Sequence, residues 1–242
     1  MTDVAQFIPG EAGTGLLLLA DHASNRVPDG VDLGIASHLM NEHIAVDIGV
    51  APLAEAVAER LRCPAILARV SRLVVDLNRD PDDAAAVPAL SDGYAIPGNA
   101  DLHPEERQGR IDRFWKPYHA LIAEKIEAIR PRMLFNLHSF TPQLASRPHE
   151  ERPWEIGILY NLDERAARIA IAMLRERGIV TGDNQPYSGR ELNATMNRHA
   201  EASGLPYLGI EVRQDLISDD RGVQSWADRI APVVAETARA LA

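Results

Sequence analysis

The chain has 242 residues, of which 46% are hydrophobic and 25% charged, which is the composition of a globular protein with a substantial core and not of a disordered or fibrous one. Its formal net charge of -10 argues against binding to nucleic acid or to an anionic membrane through a basic face. Cys63 is the single cysteine, so no intramolecular disulfide can form, and the first residues do not read as an export signal; we therefore expect a cytoplasmic protein.

Short apolar runs alternate with longer amphipathic segments along the chain. The apolar runs are predicted to be strands, at residues 16–20, 64–70, 72–77, 133–137, 155–161 and 207–212. Apolar residues recur at steps of three and four in the longer segments, which predicts helices at 48–61, 104–130, 163–178 and 225–241. This alternation predicts a three-layer α/β/α fold with a central mixed, largely parallel sheet.

Two long connections, 80–104 and 139–154, are rich in proline and in small or charged residues. Connections of that length inside a compact domain are usually functional or mobile. Neither an internal repeat nor a low-complexity linker divides the sequence. Residues 1–242 are therefore predicted to form a single domain.

Polar side chains stand at the C-terminal ends of several predicted strands. In chain order they are His22, Asn78, Arg79, His138, Glu211 and Arg213. In open α/β sheets, ligands bind beyond the carboxyl ends of the strands. We therefore expect these side chains to converge on one edge of the sheet.

Two neutral imidazoles and a carboxylate are a usual protein ligand set for a catalytic zinc ion. His22 and His138 are the candidate imidazoles, although a hydrogen-bonded structural histidine is the alternative for each, because their spacing has little specificity. The remaining histidines are predicted at the surface (His38, His43, His103 and His149) or as packing residues of helices (His119 and His199).

Glu211 ends an apolar run, and a buried glutamate is costly unless it is paired or used chemically. Such a residue could take a proton from an attacking water and deliver it to a leaving amine. An ion pair with Arg213 or Arg72 is the alternative.

A cationic and amide cluster lies in the segment SRLVVDLNRD, where Arg72 precedes Asn78 and Arg79. A planar guanidinium binds a carboxylate with two parallel hydrogen bonds, and an amide can add a third. The cluster therefore suits an acidic substrate. The alternative is that the arginines pair with the nearby carboxylates of Asp76, Asp80 or Asp82.

Several segments carry a family resemblance: DHASNRVP (21–28), HIAVDIGVAPLAEAVAERL (43–61), SRLVVDLNRDP (71–81), FWKPYHALI (114–122), FNLHSFTP (135–142), NQPYSG (184–189) and GIEVRQDL (209–216). In this order they resemble the N-formylglutamate amidohydrolase family, which is distantly similar to zinc carboxypeptidases, desuccinylases and aspartoacylases. The resemblance spans about Leu16 to Ala235. It implies a zinc carboxypeptidase-like (phosphorylase/hydrolase-like) fold and a zinc-dependent amidohydrolase that acts on a small N-acyl amino acid such as N-formylglutamate.

The resemblance also implies the metal ligands. His22 and His138 look like the two histidine ligands of the superfamily. Carboxypeptidases and desuccinylases place a glutamate ligand three residues after the first histidine, and Asn25 stands at that position here, with a neutral amide that binds zinc poorly. Asp47 is the candidate third ligand, because the family carries an aspartate at this point. An N-cap role for Asp47 and ligation by Asn25 remain the alternatives.

The remaining roles follow the same resemblance. Glu211 matches the general base, and Arg72 looks like the arginine that polarises the scissile carbonyl and steadies the oxyanion. Asn78 and Arg79 are similar to the pair that binds the substrate carboxylate, and Tyr187 is expected to close over the ligand.

Two rival functions fit the same residues. A carboxypeptidase-like peptidase would need a groove for an extended chain. A non-catalytic binding protein would keep the fold and lack the metal.

Overall fold

The computed structural model describes residues 3–11 and 13–242. In those ranges the strands are β1 (Ala5–Ile8), β2 (Leu16–Ala20), β3 (Ala65–Ala68), β4 (Leu90–Ser91), β5 (Tyr94–Ala95), β6 (Met133–Phe140), β7 (Ile156–Leu159), β8 (Thr181–Asp183) and β9 (Tyr207–Arg213). The α-helices are α1 (Val50–Leu61), α2 (Pro97–Ala100), α3 (Pro104–Arg110), α4 (Lys116–Ile129), α5 (Arg165–Glu176), α6 (Ala194–His199) and α7 (Asp220–Ala240).

The central sheet has seven strands in the order β1-β3-β2-β6-β9-β7-β8. The inner strands β3, β2, β6 and β9 run parallel to one another. Strand β1 is antiparallel to β3, and β7, which pairs with β8 in parallel, is antiparallel to β9. The predicted mixed, largely parallel sheet is confirmed.

Both faces of the sheet are covered by helices, which confirms the three-layer α/β/α architecture. Helices α1, α5 and α7 pack on one face, whereas α4, α6 and several buried turns pack on the other. Side chains alternate along each strand, so Phe135 of β6 faces the first layer and Leu134 faces the second. Each fully buried leucine of β2 contributes roughly 1.5–3 kcal/mol, which explains why this short strand is apolar throughout.

The predicted helix at 104–130 is a continuous helical segment with one irregular turn. A π-helical turn, Ile111–Trp115, joins α3 to α4. Pro117 lies in the first turn of α4 and has no backbone N–H, so the carbonyl of Arg113 loses its usual helical donor. The wider turn accommodates this missing hydrogen bond.

The predicted strand at 72–77 is wrong, because this segment forms a buried turn. The backbone N–H of Val74 donates to the carbonyl of Ser71 at 2.9 Å, and that of Asp76 donates to Ala86 at 2.7 Å. Leu73, Val74 and Val75 are fully buried in the second layer. Side chains are buried in a buried turn as well as in a buried strand, so an apolar run in the sequence is compatible with either structure.

The long connection 80–104 contains local structure of its own, namely the β4–β5 hairpin and the short helix α2. The carboxylate of Asp92, in the hairpin turn, accepts hydrogen bonds from the backbone N–H groups of Ala145 and Ser146. The hairpin is thereby attached to the other long connection, 139–154. None of the helices in the described ranges combines the length and apolar character needed to cross a membrane.

Candidate active site

The carboxyl ends of three adjacent strands bring distant polar residues together. His138 of β6 and Glu211 of β9 are register partners, so their side chains are neighbours on one face of the sheet. His22 follows β2, which pairs with β6 on the other side. His22, His138 and Glu211 are all buried, with 3%, 4% and 8% of their surfaces exposed.

The carboxylate of Asp47 lies between the two imidazoles. Its Oδ2 is 2.8 Å from Nδ1 of His138 and 3.4 Å from Nδ1 of His22. The backbone holds it there, because the N–H of Asp47 donates to the carbonyl of His22. Gly49 is the N-cap residue of α1 and no side chain caps that helix, so the N-cap alternative for Asp47 is not observed.

This donor set fits a divalent cation such as Zn²⁺. One ligand atom from each of His22, Asp47 and His138 lies within 4.8 Å of the others. Tetrahedral zinc with bonds near 2 Å places its donors about 3.3 Å apart. Asn25 lies elsewhere: it is exposed, and its Nδ2 donates to Oδ1 of Asn41.

Each imidazole has a second carboxylate on its far nitrogen. Nε2 of His22 lies 2.7 Å from Oδ1 of Asp76, and Nε2 of His138 lies 3.3 Å from Oδ2 of Asp21. The hydroxyl of Tyr118 donates to Oδ1 of Asp21 at 2.7 Å. Carboxylates in these positions orient histidine ligands and make them more basic. Sequence reasoning missed the contacts of Asp21 and Asp76 with the two imidazoles, although Asp21 precedes His22 and Asp76 interrupts an apolar run.

Arg72 joins the two carboxylates that flank His22. Its Nη1 donates to Oδ1 of Asp47 at 3.1 Å, and its Nη2 donates to Oδ2 of Asp76 at 2.9 Å. Burial opposes the ionisation of Asp76, but the charges of His22 and Arg72 together hold its pKa below the ordinary value. Pairing with Asp76, one alternative from the sequence, is therefore observed for Arg72.

Glu211 lies in the same cavity as His22, Asp47 and His138, and it forms no ion pair with any described residue. Its buried Oε2 has no hydrogen-bond partner in the described chain, whereas Arg213 binds Asp215 and Arg72 binds aspartates. Burial raises the pKa of Glu211 to about 7. The positive charge of protonated His138 opposes this effect, and the negative charge of Asp47 adds to it. A carboxylate with such a pKa can both accept and return a proton near neutral pH.

The side chains of Asn78 and Arg79 have unused hydrogen-bond donors in the cavity that contains Glu211. Oδ1 of Asn78 accepts a hydrogen bond from the backbone N–H of Thr195 at 3.0 Å, so its Nδ2 remains free to donate. Among the described residues, the guanidinium of Arg79 has no hydrogen bond or ion pair, although its backbone carbonyl accepts from Trp115. Neither Asp80 nor Asp82 therefore neutralises Arg79.

The candidate metal ligands, Glu211, Arg72, Asn78 and Arg79 line one cavity of about 160 Å³. Its walls are formed by His22, His43, Asp47, Arg72, Asp76, Asn78, Arg79, His138, Ser139, Phe140, Thr141, Tyr187, Leu192 and Glu211. The cavity therefore includes every predicted catalytic, metal-binding and substrate-binding residue.

The prediction that His43 lies at the surface is wrong, because this side chain is half-buried in the cavity wall. Its Nε2 lies 2.9 Å from Oδ2 of Asp92, the hairpin residue that also binds the connection 139–154. The polar sequence around His43 gave no signal of this contact, which depends on a residue far along the chain.

The buried His119 and the partly buried His199 form a pair behind Asn78. Nε2 of His119 lies 2.9 Å from the carbonyl of Leu77, which can only accept, so Nδ1 of His119 accepts from Nε2 of His199 at 2.8 Å. Burial, with a contribution from His199, lowers the pKa of His119 to about 3. The pair keeps α4 and α6 against the turn that carries Asn78.

Acid is expected to destabilise the protein through His119. In the unfolded chain this imidazole takes up a proton near pH 6.5, whereas in the folded chain it stays neutral until about pH 3. Stability is therefore lost as the pH falls between these values, by up to about 1.4 kcal/mol per pH unit for one histidine. Urea unfolding of wild type and His119→Gln between pH 4.5 and 7 should show a shallower pH dependence in the variant; parallel curves would contradict this assignment.

Comparisons with known proteins point to one family. A model of the N-formylglutamate amidohydrolase family matches residues 14–218. The structure of gene product Atu2144 from Agrobacterium tumefaciens is 30% identical and superposes with a TM-score of 0.92, over 98% of this chain and 96% of that one. N-formylglutamate amidohydrolase from Ralstonia eutropha JMP134 is 20% identical, with a TM-score of 0.72 over 99% and 98% of the two chains, and shares the fold.

A curated relative gives a partial match. N-formylglutamate deformylase from Pseudomonas aeruginosa is 28% identical over 158 residues, which cover 57% of this chain and 56% of that protein. The match thus spans only about half the length of the curated relative.

Proposed function

The chain belongs to the N-formylglutamate amidohydrolase family, and from this premise we propose that it hydrolyses the amide bond of an N-acyl amino acid, with N-formyl-L-glutamate as the first candidate. One observation carries the proposal. The buried groups His22, Asp47 and His138 share a cavity with the unpaired carboxylate of Glu211. A metal-binding group opposite a proton-accepting group is the arrangement that metal-assisted amide hydrolysis needs.

The metal proposed for this cavity is Zn²⁺, which His22, His138 and Asp47 would hold through one imidazole nitrogen each and a carboxylate oxygen. When bound, the ion would polarise the amide carbonyl and acidify the attacking water. Asp76 and Asp21 would orient the two imidazoles from behind, and Arg72 would hold Asp47 and Asp76 in place.

Glu211 is proposed as the general base. Its carboxylate takes a proton from the water that attacks the carbonyl carbon, and the same carboxyl group then gives that proton to the leaving amine. The raised pKa of Glu211, about 7, supports both directions of transfer, because neither the carboxylate nor the carboxylic acid is strongly favoured near neutral pH.

Asn78 and Arg79 are proposed to bind the substrate carboxylate through the free amide Nδ2 and the unpaired guanidinium. The volume of the cavity, about 160 Å³, supports a small substrate, since it is below the roughly 300–1,000 Å³ typical of sites for larger ligands. An extended peptide would need more room, which disfavours the carboxypeptidase-like alternative.

Replacing the unpaired cation should mainly weaken substrate binding. We expect Arg79→Met to raise KM about 10-fold to 100-fold and to change kcat much less, because a carboxylate remote from the scissile bond is held similarly in the ground and transition states. Steady-state kinetics with N-formyl-L-glutamate measure both constants. Arg239→Met, at an exposed position, is the matched control. A large loss of kcat at unchanged KM would contradict the carboxylate-binding role.

The proposed function is tested by metal analysis combined with a substrate screen. Protein purified without chelator should hold about one zinc ion per chain in its His₂Asp site and should release amino acid from one of the N-formyl, N-acetyl or N-succinyl derivatives tested. Well-folded protein that neither holds zinc nor takes it up from solution would support a non-catalytic binding protein. Release of C-terminal residues from peptides, with no turnover of the small amides, would support a peptidase.

A further inference from the structure

The hydroxyl of Tyr187 has one identified hydrogen bond, and it is the acceptor in that bond. Nη1 of Arg152 lies 3.0 Å from the phenolic oxygen, and a guanidinium can only donate. The phenolic hydrogen has no acceptor among the described residues. Because Tyr187 lines the cavity that also contains Glu211 and Arg72, this hydrogen is available to a ligand there.

Arg152 is a buried residue that contacts the ring of Tyr187. Its side chain is 0% exposed, and its guanidinium lies 4.9 Å from the centre of the Tyr187 ring. Nε and Nη2 both donate to Oε1 of Glu150, which neutralises the buried charge, while Nη1 also donates to the carbonyl of Thr141. The connection 139–154 therefore supports Tyr187 with a buried cation whose three nitrogens all have hydrogen-bond acceptors.

The segment that carries Tyr187 is also tightly attached to the sheet. Gly157 of β7 and Gly182 of β8 are register partners, and a Cβ atom on either would lie 2.3 Å from the carbonyl oxygen of Gln185. Oδ1 of Asn184 accepts hydrogen bonds from the backbone N–H groups of Tyr160 and Gly189. The absence of side chains at the two glycines lets the segment lie directly on the strands, so Tyr187 is held before any substrate binds.

We propose that Tyr187 is a catalytic residue that donates its phenolic hydrogen bond to the carbonyl oxygen of the scissile amide, and that Arg152 is its positioning residue. This inference rests on the proposed amide hydrolysis. The cavity that Tyr187 lines also contains Glu211, the proposed general base, so the hydroxyl and the proton-transfer group share one space for a ligand.

The phenol is in the correct protonation state for this role. Burial raises the pKa of Tyr187 above its ordinary value although the charge of Arg152 opposes that effect, so the group is a neutral donor at physiological pH. Arg72, the family's expected oxyanion residue, already donates to Asp47 and Asp76. The hydroxyl of Tyr187, by contrast, has no acceptor among the described residues, so it is free to donate to the negative oxygen of the tetrahedral intermediate.

The oxygen of water forms a bond to the carbonyl carbon, the π electron pair moves onto the carbonyl oxygen, and Glu211 takes the proton of the water. Tyr187 donates a hydrogen bond to the negative oxygen and keeps its own proton. When the electron pair returns, the C–N bond breaks and the amine leaves with the proton from Glu211. The hydrogen bond is thus strongest when the oxygen is charged.

Tyr187→Phe removes the hydroxyl and leaves the ring. We expect kcat for N-formyl-L-glutamate to fall about 100-fold to 1,000-fold, with KM changed less than about threefold, and zinc content and thermal stability close to wild type. Calorimetry should show that the variant binds L-glutamate as wild type does. It should bind the methylphosphonamidate of L-glutamate, whose tetrahedral phosphorus resembles the intermediate, more weakly by about the same factor as the loss of kcat.

Arg152→Lys tests the positioning role because it keeps the charge against Glu150 and removes the planar guanidinium. We expect this variant to lose kcat as well, and the double variant with Tyr187→Phe to be no slower than Tyr187→Phe alone. A purely structural role for Arg152 would instead add its loss to that of Tyr187→Phe. Additive losses would therefore overturn the positioning role.

Other outcomes overturn the catalytic role. Unchanged kcat in Tyr187→Phe would do so, as would a large rise in KM at constant kcat, which would mean that the hydroxyl binds the substrate carboxylate. Failure of the proposed function is distinguishable, because it would appear in wild type as no hydrolysis of any N-acyl amino acid, and this inference would fall with it. An active wild type with an equally active Tyr187→Phe variant would remove this inference alone.

Discussion

Glu211→Gln is expected to lose turnover by roughly 100-fold to 10,000-fold while the protein keeps its zinc. Glutamine has almost the same size as glutamate, but its amide accepts no proton at neutral pH. The free Oε2 of Glu211 forms no hydrogen bond in the described chain, so the substitution breaks no such contact of that atom. Measurements of kcat, zinc content and thermal stability on the same preparation separate a catalytic loss from a folding defect.

A matched control uses Glu59→Gln, which makes the same chemical change at an exposed position of α1. This variant should keep the activity of wild type. Near-normal turnover in Glu211→Gln would show that another group takes the proton of the water, and the general-base role would have to be abandoned. Loss of zinc together with activity would instead indicate that Glu211 is a metal ligand.

His138→Ala is expected to lose both zinc and turnover. Substitution of residues that only orient metal ligands typically costs about 10-fold to 100-fold in affinity, so removal of a ligand itself should weaken zinc binding by more than about 100-fold. The variant also leaves Asp21 and Asp47 without the imidazole that separates them. Zinc titration with a competing chelator gives the affinity, and circular dichroism shows whether the fold persists.

Companion variants identify the third ligand and control for the loss of a histidine. Asp47→Asn should weaken zinc binding strongly, because it removes the carboxylate charge between the rings, whereas Asn25→Ala should leave zinc binding unchanged. His38→Ala, at an exposed position, should behave like wild type. If Asn25→Ala loses zinc and Asp47→Asn retains it, the ligand assignment proposed for this cavity is incorrect.

Local sequence patterns were sufficient to predict the fold and to place the candidate site residues at one edge of the sheet. The leucine run of β2 and the apolar runs of β6 and β9 predicted buried strands, because a strand covered on both faces must hide nearly every side chain. His22, His138 and Glu211 interrupt or follow those runs, and parallel strands bring such residues to one edge. The cationic and amide cluster in the sequence identified Asn78 and Arg79, and the family resemblance supplied Asp47 and Tyr187; all four line the same cavity.

The partners of these residues came from the three-dimensional structure. Asp21 and Asp76 lie behind the imidazoles, Arg72 joins two aspartates, and Arg152 holds Tyr187. Apart from the pairing of Arg72 with the nearby Asp76, which the sequence offered as an alternative, each contact joins residues that are far apart along the chain. These contacts depend on how strands and buried turns pack. Apolar periodicity is a local property that can be read from neighbouring residues. The partner of a buried charge, by contrast, depends on which distant segments pack around it and exclude water from it.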